Sequence, residues 1–297
     1  MRHSPTHLFV RDDGYTDLVG HLEDVIGDRR SCEIVVEAEA TLEPVAVAEL
    51  FYLEGENGEP PDDRFAIQTM ISVVDCSRFL KDLNEAVSLQ TLELDYDEFD
   101  DRSHADVIVE QIEFSDLVIL NRISDLDELE RERVLNLVEW LNPAAQIEQV
   151  PPEGLSREFL ERVMDVESRP HGFDLEEVSR RAGWMRLIEE THPKKDRGAG
   201  LSGFTIRARR PLHPERFQDF LSLLQNRSQG HDVVRVKGWV WIATRNSEIG
   251  LWAQAGEAWQ LLAVGAWLAA TPMREWPSEK EERDAIMADW VPPYGDR

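Results

Sequence analysis

The sequence predicts an α/β protein with a parallel sheet and flanking helices in its first half, followed by a smaller α+β unit. Through the first 150 residues, short runs of apolar and β-branched residues alternate with segments of helical spacing. Such alternation is typical of a doubly wound α/β layer. Beyond residue 200, aromatic and β-branched residues become denser and glycines separate the apolar runs, which favours antiparallel strands. We therefore expect domains at residues 1–150 and 201–297, joined by a helical linker at 151–200.

Four runs in the first half are predicted to be strands, because they are continuously apolar rather than alternating, as in a sheet buried on both faces. The predicted strands are Cys32–Ala38, Thr69–Asp75, Asp116–Asn121 and Ala145–Val150. Between them, apolar residues recur at close to helical spacing. The predicted helices are Pro44–Leu53, Ala105–Phe114 and Glu128–Leu141.

After Pro151-Pro152, a helix is predicted at Gly154–Val166, and "THPKKDRGAG" is typical of an exposed linker. In the second half, strands are predicted at Leu201–Leu212, Asp232–Arg245, Ile249–Gly256 and Glu257–Ala270, with a proline-initiated helix at His213–Leu224.

Side chains on the long predicted strand Asp232–Arg245 are expected to divide between core and solvent. Trp239 and Trp241 alternate along one strand face, which predicts core packing. Arg235 and Lys237 are expected to be solvated, with an acidic partner or a phosphate as the alternative.

The charge balance restricts the partners. Acidic residues number 59 against 32 basic residues, a net charge of −27. A surface this acidic repels phosphates, so we expect neither nucleic acid nor membrane as a partner.

No apolar run approaches the roughly 20 residues that span a bilayer, and the start carries no signal-like apolar region, so a cytoplasmic location is expected. Cys32 and Cys76 are predicted to be buried thiols rather than a disulfide or metal pair.

Acidic and amide side chains follow three of the predicted strands: Glu37 and Glu39, then Asp75, then Asn121 to Asp125. Open α/β sheets bind ligands at the carboxyl ends of their strands, where such acids hold magnesium beside a phosphate. Acids at strand ends also cap the following helix or face solvent, and the pattern alone leaves both alternatives open.

A phosphate-binding loop is missing from these residues. Such a loop needs a run such as G-x-x-x-x-G-K-[ST], whose backbone N–H groups and lysine hold the phosphates. The early glycines, Gly14, Gly20 and Gly27, are not followed by lysine, and no strand long enough to deliver such a loop is predicted ahead of them.

Several stretches, in order, resemble the CobW-type GTP-binding proteins, a metallochaperone-like branch of the P-loop GTPases. In the first half they are "EIVVEAEATLEPVAVAELF", "ISVVDCSRFL", "VEQIEFSDLVILNR" and "LNPAAQI". In the second half they are "RARRPLHPERF", "RVKGWVWIAT", "WAQAG" and the later Trp267. The resemblance covers nearly the whole chain.

The resemblance implies a GTPase-like domain that binds GTP and Mg²⁺ and delivers Zn²⁺ or Co²⁺ to a client protein. It carries over to Glu37, Asp75, Asn121, Arg122 and Asp125 as the residues that contact nucleotide and magnesium, with Glu37 as the candidate for catalysis. The C-terminal domain is the expected docking unit for a client or partner protein.

The chain departs from the family at its metal motif. The places of the Cys-x-Cys-Cys motif hold Pro5, His7 and Leu8, so His7 is the single candidate ligand there. One ligand does not make a tetrahedral site, and a surface histidine is the favoured interpretation.

The nucleotide segments depart as well. Ala40 stands where the family has glycine, Arg122 replaces lysine, and Ser124 replaces the aspartate that reads guanine after Asn121. A serine hydroxyl does not reproduce the two hydrogen bonds that this carboxylate accepts from guanine. We expect Ser124 to cap the next helix, with Asp125 in its first turn.

These departures predict a degenerate or N-terminally truncated member that does not hydrolyse GTP alone and acts by protein or metal-linked binding. The alternative is a functional GTP hydrolase and metal chaperone whose phosphate loop is missing from this sequence. A sheet edge left open by a missing strand is an association hazard, and a homodimer is one way to cover it.

The charge balance generates a first prediction. Added salt should raise the melting temperature, because it screens the repulsion among the excess acids. Thermal unfolding between low and molar salt measures this, and a melting temperature that does not change with salt would contradict it.

Overall fold

The computed structural model describes residues 7–11, 18–27, 33–38, 40–52, 65–85, 87, 102–163, 174, 177–178, 182, 185, 202–225, 233–288 and 290–297. Its strands are β1 (His7–Arg11), β2 (Glu33–Glu37), β3 (Ile71–Asp75), β4 (Leu117–Asn121), β5 (Gln146–Gln149), β6 (Arg235–Val240), β7 (Glu248–Ala255) and β8 (Ala258–Ala266). Its longer helices are α1 (Leu18–Ile26), α2 (Pro44–Tyr52), α3 (Cys76–Asn84), α4 (His104–Glu113), α5 (Glu128–Leu141), α6 (Arg157–Val163), α7 (Pro214–Gln225) and α8 (Lys280–Ala288).

The described strands form three sheets, and their arrangement confirms the predicted α/β class. Strands β3, β4 and β5 form a parallel sheet in that order, and β6, β7 and β8 form an antiparallel sheet. Strands β1 and β2 pair in parallel in a sheet of their own, with His7 opposite Glu33 and Arg11 opposite Glu37. A five-residue strand thus precedes Gly14, where no strand long enough to deliver a phosphate loop was expected. Strand β1 has only three consecutive apolar residues, too few to stand out in the sequence.

The main core lies on one face of the β3–β4–β5 sheet. Helices α3, α4 and α5 cover that face, and their side chains pack around Val118 and Leu120 of β4. On the opposite face, Phe159 and Val163 of α6 pack against Leu117. Strand β4 is therefore buried on both faces, as predicted.

Strand β3 departs from this pattern. The side chain of Val73 is 64% exposed and Ile71 is also exposed, whereas Val74 on the opposite face is buried. The prediction of burial on both faces is wrong for β3. Strand β3 lies at one edge of the described sheet, and the cluster that α6 forms includes residues of β4 but none of β3.

The helices of the first half begin where side chains can satisfy their free N–H groups. Ser103 and Asp106 form a capping box at the start of α4, and Asp127 and Glu130 form one at the start of α5. The prediction that Ser124 caps the helix is wrong. Ser124 lies within a short 3-10 turn, Ile123–Asp125, and Asp127 caps α5 because its Glu130 partner completes the reciprocal pair.

The antiparallel sheet carries α7 on one face. Pro214 opens this helix, as predicted, and the rings of Phe217 and Phe220 pack edge-on against Trp252 of β7. The predicted strand at Leu201–Leu212 is wrong over its described part. Residues 202–211 make no ladder there, and Leu212 alone forms a bridge, with Ile242.

The two tryptophans predicted for the core take other positions. Trp239 is 56% exposed on β6, so the core prediction is wrong for this residue. Trp241 lies just beyond the end of β6, donates to Asn246, and packs against the ring of Tyr294 and the guanidinium of Arg297. Strand β6 is shorter than predicted, and this moves Trp241 out of the ladder.

A buried ion pair joins the two halves of the chain. Arg235 of β6 donates through Nε and Nη2 to the two carboxylate oxygens of Glu113 in α4, at 3.0 and 2.8 Å, and each side chain is 1% exposed. Burial lowers the pKa of Arg235, but the charge and hydrogen bond of Glu113, together with the charges of Glu110 and Asp106, outweigh it and leave that pKa raised. The expectation that Arg235 is solvated is wrong, and its alternative, an acidic partner, is correct.

Contacts around this pair fit the sheet closely against the helices. Lys237 pairs with Glu110 at 3.3 Å, so it too has an acidic partner rather than solvent alone.

Gly256 has a φ of +56° in the β7–β8 turn, and a Cβ there would collide with the carbonyl oxygen of Leu83 at the end of α3. The turn therefore needs glycine for both its conformation and its contact.

None of the helices in the described part of the chain has the length and apolarity to span a bilayer.

The buried pair generates a stability prediction. Replacing Glu113 with Gln should lower the free energy of unfolding by about 3–5 kcal/mol, because it leaves the buried Arg235 charge uncompensated. Urea titration measures the loss.

The matched control is Glu248→Gln, which removes the partner of Arg245 in an exposed pair at 2.9 Å. That change should cost less than about 1 kcal/mol. A double variant, Glu113→Leu with Arg235→Met, should recover much of the lost stability. Equal losses for Glu113→Gln and Glu248→Gln would contradict the prediction.

Candidate functional site

The carboxyl ends of β3 and β4 bring together four of the predicted site residues. Asp75 and Asn121 end the two strands and lie opposite each other in the parallel register. Arg122 follows with a left-handed backbone, φ 58°, which turns the chain so that Ile123 enters the core. Asp125 closes the short turn that comes next.

Arg122 links the two carboxylates of this site. Its Nη1 donates to Oδ2 of Asp75 at 3.4 Å, and its Nε donates to Oδ2 of Asp125 at 3.1 Å. The hydrogen bond that Arg122 donates to Asp125, with the attraction of Asp75, raises the pKa of Arg122. All three side chains are about half exposed, so solvent and salt weaken both pairs.

Asp75 also caps α3. Its Oδ1 accepts from the backbone N–H of Ser77 at 3.1 Å and from the Ser77 hydroxyl at 2.6 Å. The sequence left open whether acids at strand ends hold magnesium or cap helices, and Asp75 has the capping geometry. Arg122 donates to its other oxygen, so a magnesium ion at Asp75 would compete with that cation. The role of Asp75 in holding magnesium stays a prediction.

Glu37 does not join this group. It ends β2, is exposed, and belongs to the separate β1–β2 sheet rather than to the sheet that carries Asp75 and Asn121. Among the described residues there is no group of three side chains arranged to hold a metal ion. The metal role of His7, at the start of β1, stays a prediction.

Cys76 follows Asp75 and lies in the core. Its Sγ donates to the carbonyl oxygen of Val74 at 3.7 Å. Burial, and secondarily the charge of Asp75, raises the pKa of Cys76 to about 12. Because metal ions bind the thiolate, this cysteine is a poor ligand, as the buried-thiol prediction implies. Cys32 lies outside the described residues.

The segment after β2, which resembles a nucleotide-sensing switch of the family, is held by α4. The Gln111 side chain donates to the carbonyl oxygens of Ala40 and Leu42 at 3.0 and 3.3 Å. Arg102, just before α4, pairs with Glu43 at 2.7 Å. Sequence reasoning missed Gln111 as a contact of this segment. Gln111 lies in the run "VEQIE", which was used only as part of one of the stretches that resemble the family.

The fold and the loop after β4 define an α/β protein of the nucleotide-binding class with a separate C-terminal sheet. Two family models match the chain. The CobW/HypB/UreG nucleotide-binding domain matches residues 13–149, and the cobalamin synthesis protein cobW C-terminal domain matches residues 201–286. The chain belongs to the CobW family, as the resemblance implied.

Two curated relatives carry names that refer to zinc. The chain is 28% identical over 282 residues to the zinc-regulated GTPase metalloprotein activator 1 of Dictyostelium discoideum, covering 95% of this chain and 57% of that protein. It is 30% identical over 234 residues to a zinc chaperone of Mycobacterium tuberculosis, covering 78% of this chain and 50% of that protein. The chain thus spans about half the length of the curated relatives it matches.

Among solved structures, the Zn(II)-bound YjiA GTPase from E. coli matches at 14% identity with a TM-score of 0.36, covering 85% of this chain and 67% of that one. A score this low carries no structural argument.

The environment of Cys76 generates a prediction about reactivity. A pKa near 12, against an ordinary value of 9.0, lowers the thiolate fraction at pH 8 roughly a thousandfold. In a Cys32→Ser variant, alkylation of Cys76 by iodoacetamide should therefore be at least about a hundredfold slower in the native chain than in urea. Equal rates in the two states would contradict burial of this thiol.

Proposed function

We propose that this chain is a binding member of the CobW family that acts in metal delivery to a client protein and does not hydrolyse GTP on its own. Zinc, the metal in the names of two relatives, is the proposed cargo, and the cytoplasm is the proposed location. The observation that carries the proposal is the Arg122 guanidinium, which is bound to Asp75 and Asp125 where the family reads guanine.

The loop has lost its means of reading the base. A guanine reader needs a carboxylate free to accept two hydrogen bonds, and Ser124 stands in that place. Asp125 is one position further on, but Arg122 already engages its Oδ2. Asn121 is retained at the end of β4, so the loop keeps the shape of a base-reading loop without its acceptor.

The phosphates have no evident binding group in this sequence. It contains no G-x-x-x-x-G-K-[ST] run, and the family's switch glycine is replaced by Ala40. Phosphoryl transfer depends almost entirely on positioning the phosphates and neutralising their charge. Glu37, the candidate for catalysis, lies in a different sheet from Asp75 and Asn121. These features support a binding role over hydrolysis.

The C-terminal part, residues 201–297, is the proposed client-binding domain, with residues 1–150 as the GTPase-like domain. Support comes from an exposed apolar row across its sheet. Trp239, Leu251 and Leu262 are opposite one another in register on three neighbouring strands, and Trp239 and Leu262 are 56% and 45% exposed. Exposed apolar patches of this kind mark protein interaction sites.

The proposal predicts the outcome of a GTP titration. With magnesium present, the purified chain should bind GTP no more tightly than a Kd of about 1 mM, and phosphate release should not exceed the background. Calorimetry and a phosphate-release assay measure the two quantities.

Two variants show whether any binding arises at the loop. Arg122→Ala frees Asp75 and Asp125, whereas Arg245→Ala removes a comparable exposed pairing far from it. A micromolar Kd in the unmodified chain would overturn the proposal, and a Kd changed by Arg122→Ala but not by Arg245→Ala would place that binding at the loop. It would favour the alternative of a GTP hydrolase and zinc chaperone.

A further inference from the structure

One face of α4 binds the C-terminal sheet. Asp106, Glu110 and Glu113 are spaced four and three residues apart, so they form a single stripe along the helix. The first accepts a hydrogen bond from Gln260 of β8 at 3.3 Å, and the other two pair with Lys237 and Arg235 of β6.

The adjacent face of the same helix binds the segment after β2. Gln111 follows Glu110 by one residue, about 100° around the helix. Its side chain donates to the carbonyl oxygens of Ala40 and Leu42, so one residue of α4 hydrogen-bonds two residues of that segment. The ion pair between Arg102 and Glu43 is a third contact with the segment, beside the start of α4.

Helix α4 is fixed at its C-terminal end, so a displacement at one face changes the other. The buried side chain of Asn142 donates to the carbonyl oxygens of Ile112, Glu113 and Ser115 at 2.8, 3.1 and 2.8 Å. Val109 and Ile112 are fully buried in the main core. Core packing along the helix and the Asn142 contacts at its end therefore hold α4 as one body.

We propose that α4 mechanically couples the position of residues 40–43 to the docking of the C-terminal sheet. A tilt that loosens Glu110 from Lys237 also moves Gln111 away from the two carbonyl oxygens that it holds, and the reverse holds too. Coupling between two sites is reciprocal, so each surface responds to changes at the other. This inference does not depend on GTP binding, and it stands or falls separately from the proposed function.

Hydrogen exchange on the full chain tests the coupling. The variants are Lys237→Met and Glu110→Gln, which remove one partner of a pair that is 14% and 25% exposed and leave the fully buried Arg235–Glu113 pair intact. Each should raise the exchange rate of amides in residues 40–52 by about fivefold, the low end of coupling between sites. Helix α5 serves as the internal reference and should not change.

A variant at Gln111 tests the coupling in the opposite direction, and a variant at Arg245 is the control. Gln111→Leu removes both hydrogen bonds to residues 40–42 and should speed exchange in β6 relative to α5. Arg245→Met, in an exposed pair of the same sheet, should leave residues 40–52 unchanged. If the Lys237 and Glu110 variants leave residues 40–52 at the control rate, or speed α5 as much as residues 40–52, the coupling does not exist.

Discussion

The buried ion pair between Arg235 and Glu113 is the interaction on which the rest of this structure depends. Two charges that are both 1% exposed are stable in the interior only if each faces the other with correct geometry, because neither retains water. The bidentate contact therefore sets both the distance and the orientation of the C-terminal sheet on α4. Nearby contacts follow from it, including the position of the Gly256 turn against Leu83.

The pairs at the strand ends have a different physical character. Arg122, Asp75 and Asp125 are about half exposed, so their attraction is modest and screened by salt. They do not hold the fold together, but they determine what the loop offers to a ligand. In this family member the loop offers a cation already bound to two acids, while the framework beneath it is held by the buried pair and the apolar core.

Much of the first half is predictable because its signals are local. Helix α5 has the predicted bounds, Glu128–Leu141, α2 ends one residue earlier than predicted, and α4 begins and ends one residue earlier. Apolar periodicity and capping residues lie within the segment that they define. Helix α3 was missed although Cys76, Phe79 and Leu83 have helical spacing. Strand β3 ends at Asp75 and α3 begins at Cys76, so Asp75 is both the last residue of the strand and the N-cap of the helix.

Errors concentrate where burial is decided by distant segments. Alternation placed Trp239 in the core, yet Trp239 is 56% exposed whereas Arg235, on the same face of β6, is buried. The segment 202–211 has the composition of a strand, yet composition does not supply a neighbouring strand with which to form a ladder. Likewise, Glu37 carries the predicted residue type at the predicted strand end, but its strand pairs into another sheet.

By itself the sequence determined the α/β class, most strand and helix positions and the residues of the Asn121 loop, because these depend on neighbours a few residues apart. Only the tertiary structure decided that Arg235 meets Glu113 across 122 positions, and that Gln111 reaches the segment after β2. Those contacts arise from how packed elements cross, and the physical reason is that periodicity specifies which face of an element is buried but not which partner covers it.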